Sequence, residues 1–238
     1  QILDTWFSSG QWPFATLGFP DKTEELNKNF PWNFEISAPE IKFLWIARMI
    51  MISSYLTEQI PFYNMFFHGT LRDAEGRKFS KSLGNGLYPK IFAENWGVDA
   101  LRAALLTFSA PGRDGRVGKQ SLNERCKNFR NFETKIKNIA KFVLELGPNT
   151  KKNSDFSHPE DKDIMKKLEE VETSVKKNFE DFELHLALES VYNFIWHEFA
   201  DKYIEQSKKR RTEAQACLEK VLKSSIELIA PFMPSLSN

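Results

Sequence analysis

From about residue 119 onward, apolar residues recur every three or four positions, the repeat that lines one face of an α-helix. Leu122, Phe129, Phe132, Ile136, Ile139 and Val143 mark a first helix, which should stop at Gly147-Pro148 because glycine readily leaves the helical backbone conformation and proline cannot continue it. Ile164, Leu168, Val171, Val175, Phe179 and Phe182 mark a second helix, and Leu184, Leu188, Val191, Ile195 and Phe199 a third. Leu218, Val221, Leu222, Ser225, Leu228 and Ile229 mark a fourth. Four such helices predict a bundle, with residues 147–155, rich in Pro, Asn, Lys and Ser, as the clearest loop. Residues 1–110 read differently. Short apolar runs such as Met65-Phe66-Phe67-His68 mix with helical stretches, notably 39–54, where Ile41, Leu44, Trp45, Arg48, Met49 and Ile52 keep helical spacing. That mixture predicts an α/β unit with residues 65–68 as a core strand. Open parallel sheets bind ligands beyond the carboxyl ends of their strands, which draws attention to the loop that follows.

Composition narrows the picture without naming a function. At 238 residues and 41% hydrophobic content the chain can bury a real core and implies more than one domain. The formal net charge is only +1, so no global basicity points to a polyanion. Its distribution is uneven: residues 113–152 hold eleven Lys or Arg against four Asp or Glu, whereas 153–207 hold six against fourteen. One region could attract nucleic acid and the next repel it, and two helices with complementary charged faces fit the same count. Cys126 and Cys217 stand far apart, and His68, His158, His185 and His197 lack metal-ligand spacing, so reduced thiols and no structural zinc are expected. The most apolar stretch, Phe43 to Ile52, is short and interrupted by Arg48, which argues against a membrane span and for a cytoplasmic protein.

The densest chemistry lies in residues 74–85. Lys78 and Lys81 alternate with Ser80 and Ser82 in a segment bounded by Gly76 and Gly84. Two ammonium groups, hydroxyls and loop N–H donors on one short loop suit a triphosphate, whose charge they can neutralise as a phosphate leaves. Taken alone, the pattern fits an exposed basic turn as well.

Lys78-Phe79-Ser80-Lys81-Ser82 resembles the Lys-Met-Ser-Lys-Ser signature of class I aminoacyl-tRNA synthetases, with Phe79 in place of Met, and Leu83-Gly84-Asn85 continues it as that family does. The resemblance extends over essentially the whole chain and is closest to the valyl type. It is carried upstream by Leu3-Asp4-Thr5-Trp6-Phe7-Ser8-Ser9, Trp12-Pro13-Phe14, the segment Phe43–Met49 and His68-Gly69-Thr70-Leu71-Arg72-Asp73. Downstream, Asp99-Ala100-Leu101-Arg102, Gly112-Arg113-Asp114, Arg130-Asn131-Phe132 and the run Phe194–Glu205 match in order.

This resemblance implies the carboxyl-terminal part of a Rossmann-like catalytic domain with the stem-contact region over 1–112, then an all-α anticodon-binding domain over 113–238. It implies ATP, arriving as a Mg2+ complex, with valine and tRNA(Val) as the other substrates, in a monomer. Lys81 is the first candidate for the pyrophosphate clamp and Lys78 the second, with Ser80 and Ser82 as ATP contacts and Arg77 a flanking charge. Trp6 and Trp45 are candidate walls of a small dry amino-acid pocket, although ordinary core tryptophans fit there too. Arg125, Lys127, Arg130, Lys135 and Lys137 are candidate tRNA phosphate contacts, while Trp196, Phe199 and Tyr203 read as packing. The run Lys208-Lys209-Arg210-Arg211 reads as a solvated helix end or turn.

Departures from the family pattern matter. The His-Ile-Gly-His motif is not among these residues, and Gln1 opens directly into a motif, so the chain is expected to be an excised piece that cannot activate valine alone. Ala38-Pro39-Glu40 stands where the family usually has Gly-x-Asp, which unsettles a contact to the ATP ribose. An isoleucine ligase is the alternative within the class, opposed by Asp4-Thr5-Trp6-Phe7-Ser8-Ser9. A non-catalytic tRNA-binding module descended from such an enzyme is the alternative outside it.

Overall fold

The computed structural model describes residues 2–108, 110–147 and 156–237. They pack as two units, one of residues 1–70 with 110–115, the other of residues 71–109 with 116–238.

In the first unit, α1 (Thr5–Gly10), α2 (Trp12–Ala15) and α3 (Glu24–Asn29) precede strand β1 (Trp32–Ser37). Local chemistry sets their starts: the Asp4 carboxylate accepts from Trp6 N, and the Thr23 hydroxyl accepts from Leu26 N at 3.0 Å. A 3-10 turn (Pro39–Ile41), a π turn (Lys42–Ile46) and α4 (Ala47–Thr57) then lead to β2 (Phe62–Phe67). The two strands are parallel, in register from Trp32 opposite Phe62 to Ser37 opposite Phe67. A parallel pair needs a long crossover, which residues 38–61 and their helix supply. This is the α/β alternation that the sequence predicts.

Two expectations change in detail. The strand begins three residues before the predicted run and ends before His68, and of its residues only Phe62 is buried, because the sheet has just two strands here. The helical stretch over 39–54 forms, but its buried residues are Ile46, Met49, Ile52 and Ser53, while Ile41, Phe43 and Leu44 face outward at 41, 72 and 61% exposure. The π turn adds a residue to the repeat and rotates the apolar face away from an unbroken α-helical register.

In the second unit, α5 (Pro89–Trp96) and α6 (Val98–Leu106) pack on the long α7 (Lys119–Leu144). Next come α8 (Pro159–Glu180), α9 (Leu184–Asn193), a π-helix (Phe194–Ile204), α10 (Glu205–Ser207), a 3-10 turn (Lys208–Arg210), α11 (Arg211–Ile229) and α12 (Pro234–Ser237). All six apolar residues that predicted the first helix are buried on α7. Ile164, Leu168, Val171 and Val175 are buried on α8, and Leu218, Val221 and Leu222 on α11. The four predicted helices therefore exist and share one core. Its fully buried phenylalanines, Phe132 and Phe199, should each cost roughly 3–5 kcal/mol if cut back to alanine. Phe182 lies past the end of α8 with φ at +58°. The predicted loop begins as expected, with Gly147 at φ +73° just after α7, and from residue 148 to 155 it lies outside the described residues.

The third predicted helix continues beyond Phe199 as the π-helix. Its buried residues come in pairs, Phe194 and Ile195, Phe199 and Ala200, Tyr203 and Ile204, stepping by five and then four. That step follows i→i+5 bonding and presents a wider apolar face than an α-helix would.

The basic run 208–211 forms the expected turn, but only half of it is solvated. Lys208 and Lys209 are exposed, whereas Arg210 grips Asp161 on α8 through Nη2 to Oδ1 at 2.5 Å and Nη1 to Oδ2 at 3.1 Å. Tyr203 donates to the same carboxylate at 2.6 Å. Burial opposes the charge on Asp161, yet the Arg210 and Tyr203 bonds outweigh it and hold the carboxyl below the usual range. Arg211 donates to the Phe142 carbonyl and Glu145. Arg210 ties this turn to α8 because a buried carboxylate needs donors, and Arg211 ties it to the end of α7.

Candidate functional site

The lysine loop belongs to the second unit and is built around one carboxylate. Asp73, 6% exposed, accepts from the backbone of Glu75 at 3.1 Å and of Arg77 at 2.8 Å through Oδ1. Its Oδ2 accepts from Arg77 Nε and from Asn85 Nδ2, each at 2.8 Å. The Asn85 bond, helped by Arg77, holds the Asp73 carboxyl down to about 2 in spite of burial. Asn85 also accepts from Ser80 N at 2.9 Å and donates to the Lys78 carbonyl at 3.3 Å. Lys78 bridges back to Arg72 in an antiparallel step, so the loop is closed at its base.

Between the lysines, Phe79 packs against the core of its unit, which accounts for an apolar residue at the centre of a charged motif. Lys78 and Lys81 are exposed, and Lys81 starts a turn closed by Gly84 N to Lys81 O at 3.3 Å, where Gly84 takes φ +61°. Ser80 and Ser82 share a hydroxyl hydrogen bond of 2.7 Å. The structure thus brings together the four residues predicted from the motif. The amides of Glu75, Arg77 and Ser80 face inward to Asp73 and Asn85, so these three loop N–H groups are spent within the loop. Asp73 and Asn85 themselves were not singled out by the sequence reading, because nothing in a linear motif says that residues twelve apart hold each other.

Trp6 and Trp45 both lie in the first unit and are half-buried. Arg48 stacks its guanidinium 4.7 Å from the Trp6 ring centroid, and Trp45 packs on the cluster of Ile46, Met49 and Phe62. Gly10 lets α1 approach α4 closely, since a Cβ there would meet Ile52 Cδ1 at 2.5 Å. Glu40, at the departing position, accepts from the Thr70 hydroxyl at 3.1 Å.

The predicted RNA contacts on α7 divide by what they already hold. Lys135 is bound to Asp201 at 2.6 Å and lies 4.1 Å from the centroid of Trp196. Trp196 in turn stacks on Tyr192 with centroids 5.5 Å apart, so Trp196 is a packing residue as expected. Arg130 and Lys137 both pair with Glu133, at 2.7 and 2.5 Å, and although burial works against that carboxylate's charge, these two bonds hold it below the usual range. Arg125 is exposed and stacks over Phe108 at 5.0 Å. It borders a groove of about 370 Å³ whose lining includes Asn128, His185, Tyr192 and Asn193.

Cys126 and Cys217 are buried and unpaired, and burial raises each thiol to about 11. Among the described residues no cluster of three or more His, Cys, Asp or Glu could hold a metal ion, and no helix is long and apolar enough to cross a membrane.

Residues 1–118 match the family of class I tRNA synthetases for I, L, M and V, and residues 161–238 match the anticodon-binding domain of tRNA ligases. The valine–tRNA ligase of Clostridium tetani is 41% identical over 99% of this chain and 28% of its own length. That of Aquifex aeolicus is 34% identical over 99% of this chain and 22% of its own length. The chain thus spans about a quarter of the curated relatives it matches. Among solved structures, the LeuRS of Agrobacterium radiobacter K84, in a ternary complex with tRNA and LeuAMS, superposes with a TM-score of 0.82 at 20% identity, covering 98% of this chain and 31% of that one. Methionyl-tRNA synthetase of Mycobacterium tuberculosis, bound to methionyl-adenylate, gives 0.75 at 23% identity over 98% and 48% of the two chains. With its lysine loop, its helical bundle and these matches along its length, the chain belongs to the class I tRNA synthetases.

Proposed function

We propose that this chain is the part of a valine–tRNA ligase that clamps the phosphates of ATP and grips the anticodon stem-loop of tRNA(Val). The observation that carries the reading is the closed loop at 73–85 with Lys78 and Lys81 exposed, in a chain 41% identical to a valine–tRNA ligase. The reaction joins two anions: the valine carboxylate attacks the α-phosphate of ATP and expels pyrophosphate, and the adenylate then passes its acyl group to the terminal ribose of the tRNA. Positive charge and positioning must therefore supply most of the rate. Lys81 and Lys78 meet the charge that grows on the leaving pyrophosphate, while Ser80 and Ser82 donate to its oxygens. ATP arrives with Mg2+ as part of the substrate. Trp6 and Trp45 wall the valine pocket.

In the functional division we propose, residues 1–112 belong to catalysis and the stem contact, and 113–238 to the anticodon. Arg125 and Lys127 are exposed phosphate contacts on α7. Arg130 and Lys135 contribute only by exchanging Glu133 or Asp201 for phosphate. The protein works in the cytoplasm as a monomer.

Pyrophosphate exchange on the full-length protein tests this reading. Lys81→Ala should lower valine-dependent exchange by about 10² to 10³, the effect of removing one charge-stabilising donor, with tRNA affinity kept. Undiminished exchange in the variant, or faster exchange with isoleucine than with valine in the wild type, would refute the assignment.

A further inference from the structure

We propose that Asp73 and Asn85 are a positioning pair: they pin both feet of the lysine loop so that Lys78 is held in place and only the tip carrying Lys81 moves onto phosphate. This rests on the assignment of the loop to phosphate made above. The pair has no spare chemistry for a ligand. A carboxylate offers about four acceptor sites, and Asp73 uses them on Glu75 N, Arg77 N, Arg77 Nε and Asn85 Nδ2. Asn85 spends its oxygen on Ser80 N and its amide on Asp73 and the Lys78 carbonyl. Any influence on bound phosphate must therefore pass through the lysines.

The geometry also separates the two lysines. Lys78 sits in the bridge to Arg72, its carbonyl is held by Asn85, and the next residue, Phe79, is set into the core. Beyond Ser80 the tip is held more lightly: the 2.7 Å Ser80–Ser82 hydroxyl bond and the 3.3 Å closure from Gly84 N to Lys81 O tie it, neither of which reaches Asp73 or Asn85, and a Cβ on Gly84 would meet nothing within 4 Å. A fixed first cation and a mobile second one let the site admit ATP, close on it and release pyrophosphate without refolding the loop.

The test is cleavage of this chain by trypsin after Lys78 and after Lys81, followed by mass spectrometry with and without inorganic pyrophosphate. In the wild type, cleavage after Lys81 should precede cleavage after Lys78, and pyrophosphate should slow it. Asn85→Ala should speed cleavage after Lys78 about tenfold or more, as expected for lost hydrogen bonds to a charged group, and weaken pyrophosphate protection with the urea midpoint unchanged. Asn85→Asp should do more, because two carboxylates would face each other. Unchanged cleavage in both variants would overturn the clasp. A wild-type chain indifferent to pyrophosphate would remove the phosphate assignment itself, and the positioning role with it.

Discussion

Truncating Asp161 to alanine should unfold the bundle far more easily than its place at a helix start suggests. The carboxylate is 4% exposed and receives two bonds from Arg210 and one from Tyr203. Removing it leaves a guanidinium 12% exposed and a buried phenol without their acceptor. Breaking one side of a buried pair costs about 3–5 kcal/mol, and an unpaired buried hydroxyl adds about 1–3. Glu160 stays in reach of Arg210 at 3.0 Å and offsets part of this. We expect about 4 kcal/mol, read as a fall of the urea midpoint by roughly 2 M for a slope near 2 kcal/mol per M. Tyr203→Phe should cost about 1–2 kcal/mol. Asp161→Leu with Arg210→Met should cost clearly less than the two single changes added, because neither charge is then stranded. Since the folded Asp161 carboxyl lies below its ordinary value, its contribution is complete above the unfolded value near 4 and is lost as pH falls through the folded one. Asp161→Asn should remove that part of the acid transition. A cost under about 1 kcal/mol for Asp161→Ala would refute the view that this carboxylate organises the arginine turn.

Gly69→Ala should destabilise the first unit by more than about 2 kcal/mol, because a Cβ there would overlap the Arg113 carbonyl; thermal melting followed at the tryptophans checks this. Arg125→Ala should lower the slope of log affinity for tRNA against log salt by about one. Lys135→Ala should lower it by less, since Asp201 already holds that amine; equal slopes for the two variants would contradict the division of the α7 cations.

Much of the bundle was legible from spacing alone. A core position on a helix has to be apolar, so Leu122 through Val143 and Ile164 through Val175 announce their own burial. Periodicity could not anticipate the π segments, because whether a helix takes an extra residue is decided by what its face must cover. Ile41 and Leu44 were misplaced for that reason, and the pairing of buried residues from Phe194 to Ile204 emerged only in the fold. Residues far apart in sequence also proved to be partners. Asp99 accepts from Leu236 N at 2.8 Å, joining the start of α6 to α12.

The lysine loop divides in the same way. Its residue types, and hence its charge and its resemblance to a phosphate clamp, are properties of the chain, since amines and hydroxyls carry their chemistry wherever they are placed. Which of those groups face outward, which cation is fixed and which is free to move depend on a carboxylate and an amide twelve residues apart meeting at 2.8 Å. Arg210, read from its neighbours as a solvated charge, became part of the interior for a like reason: a buried ion is tolerable only beside its counter-ion, and the chain had to fold before Asp161 could be that neighbour.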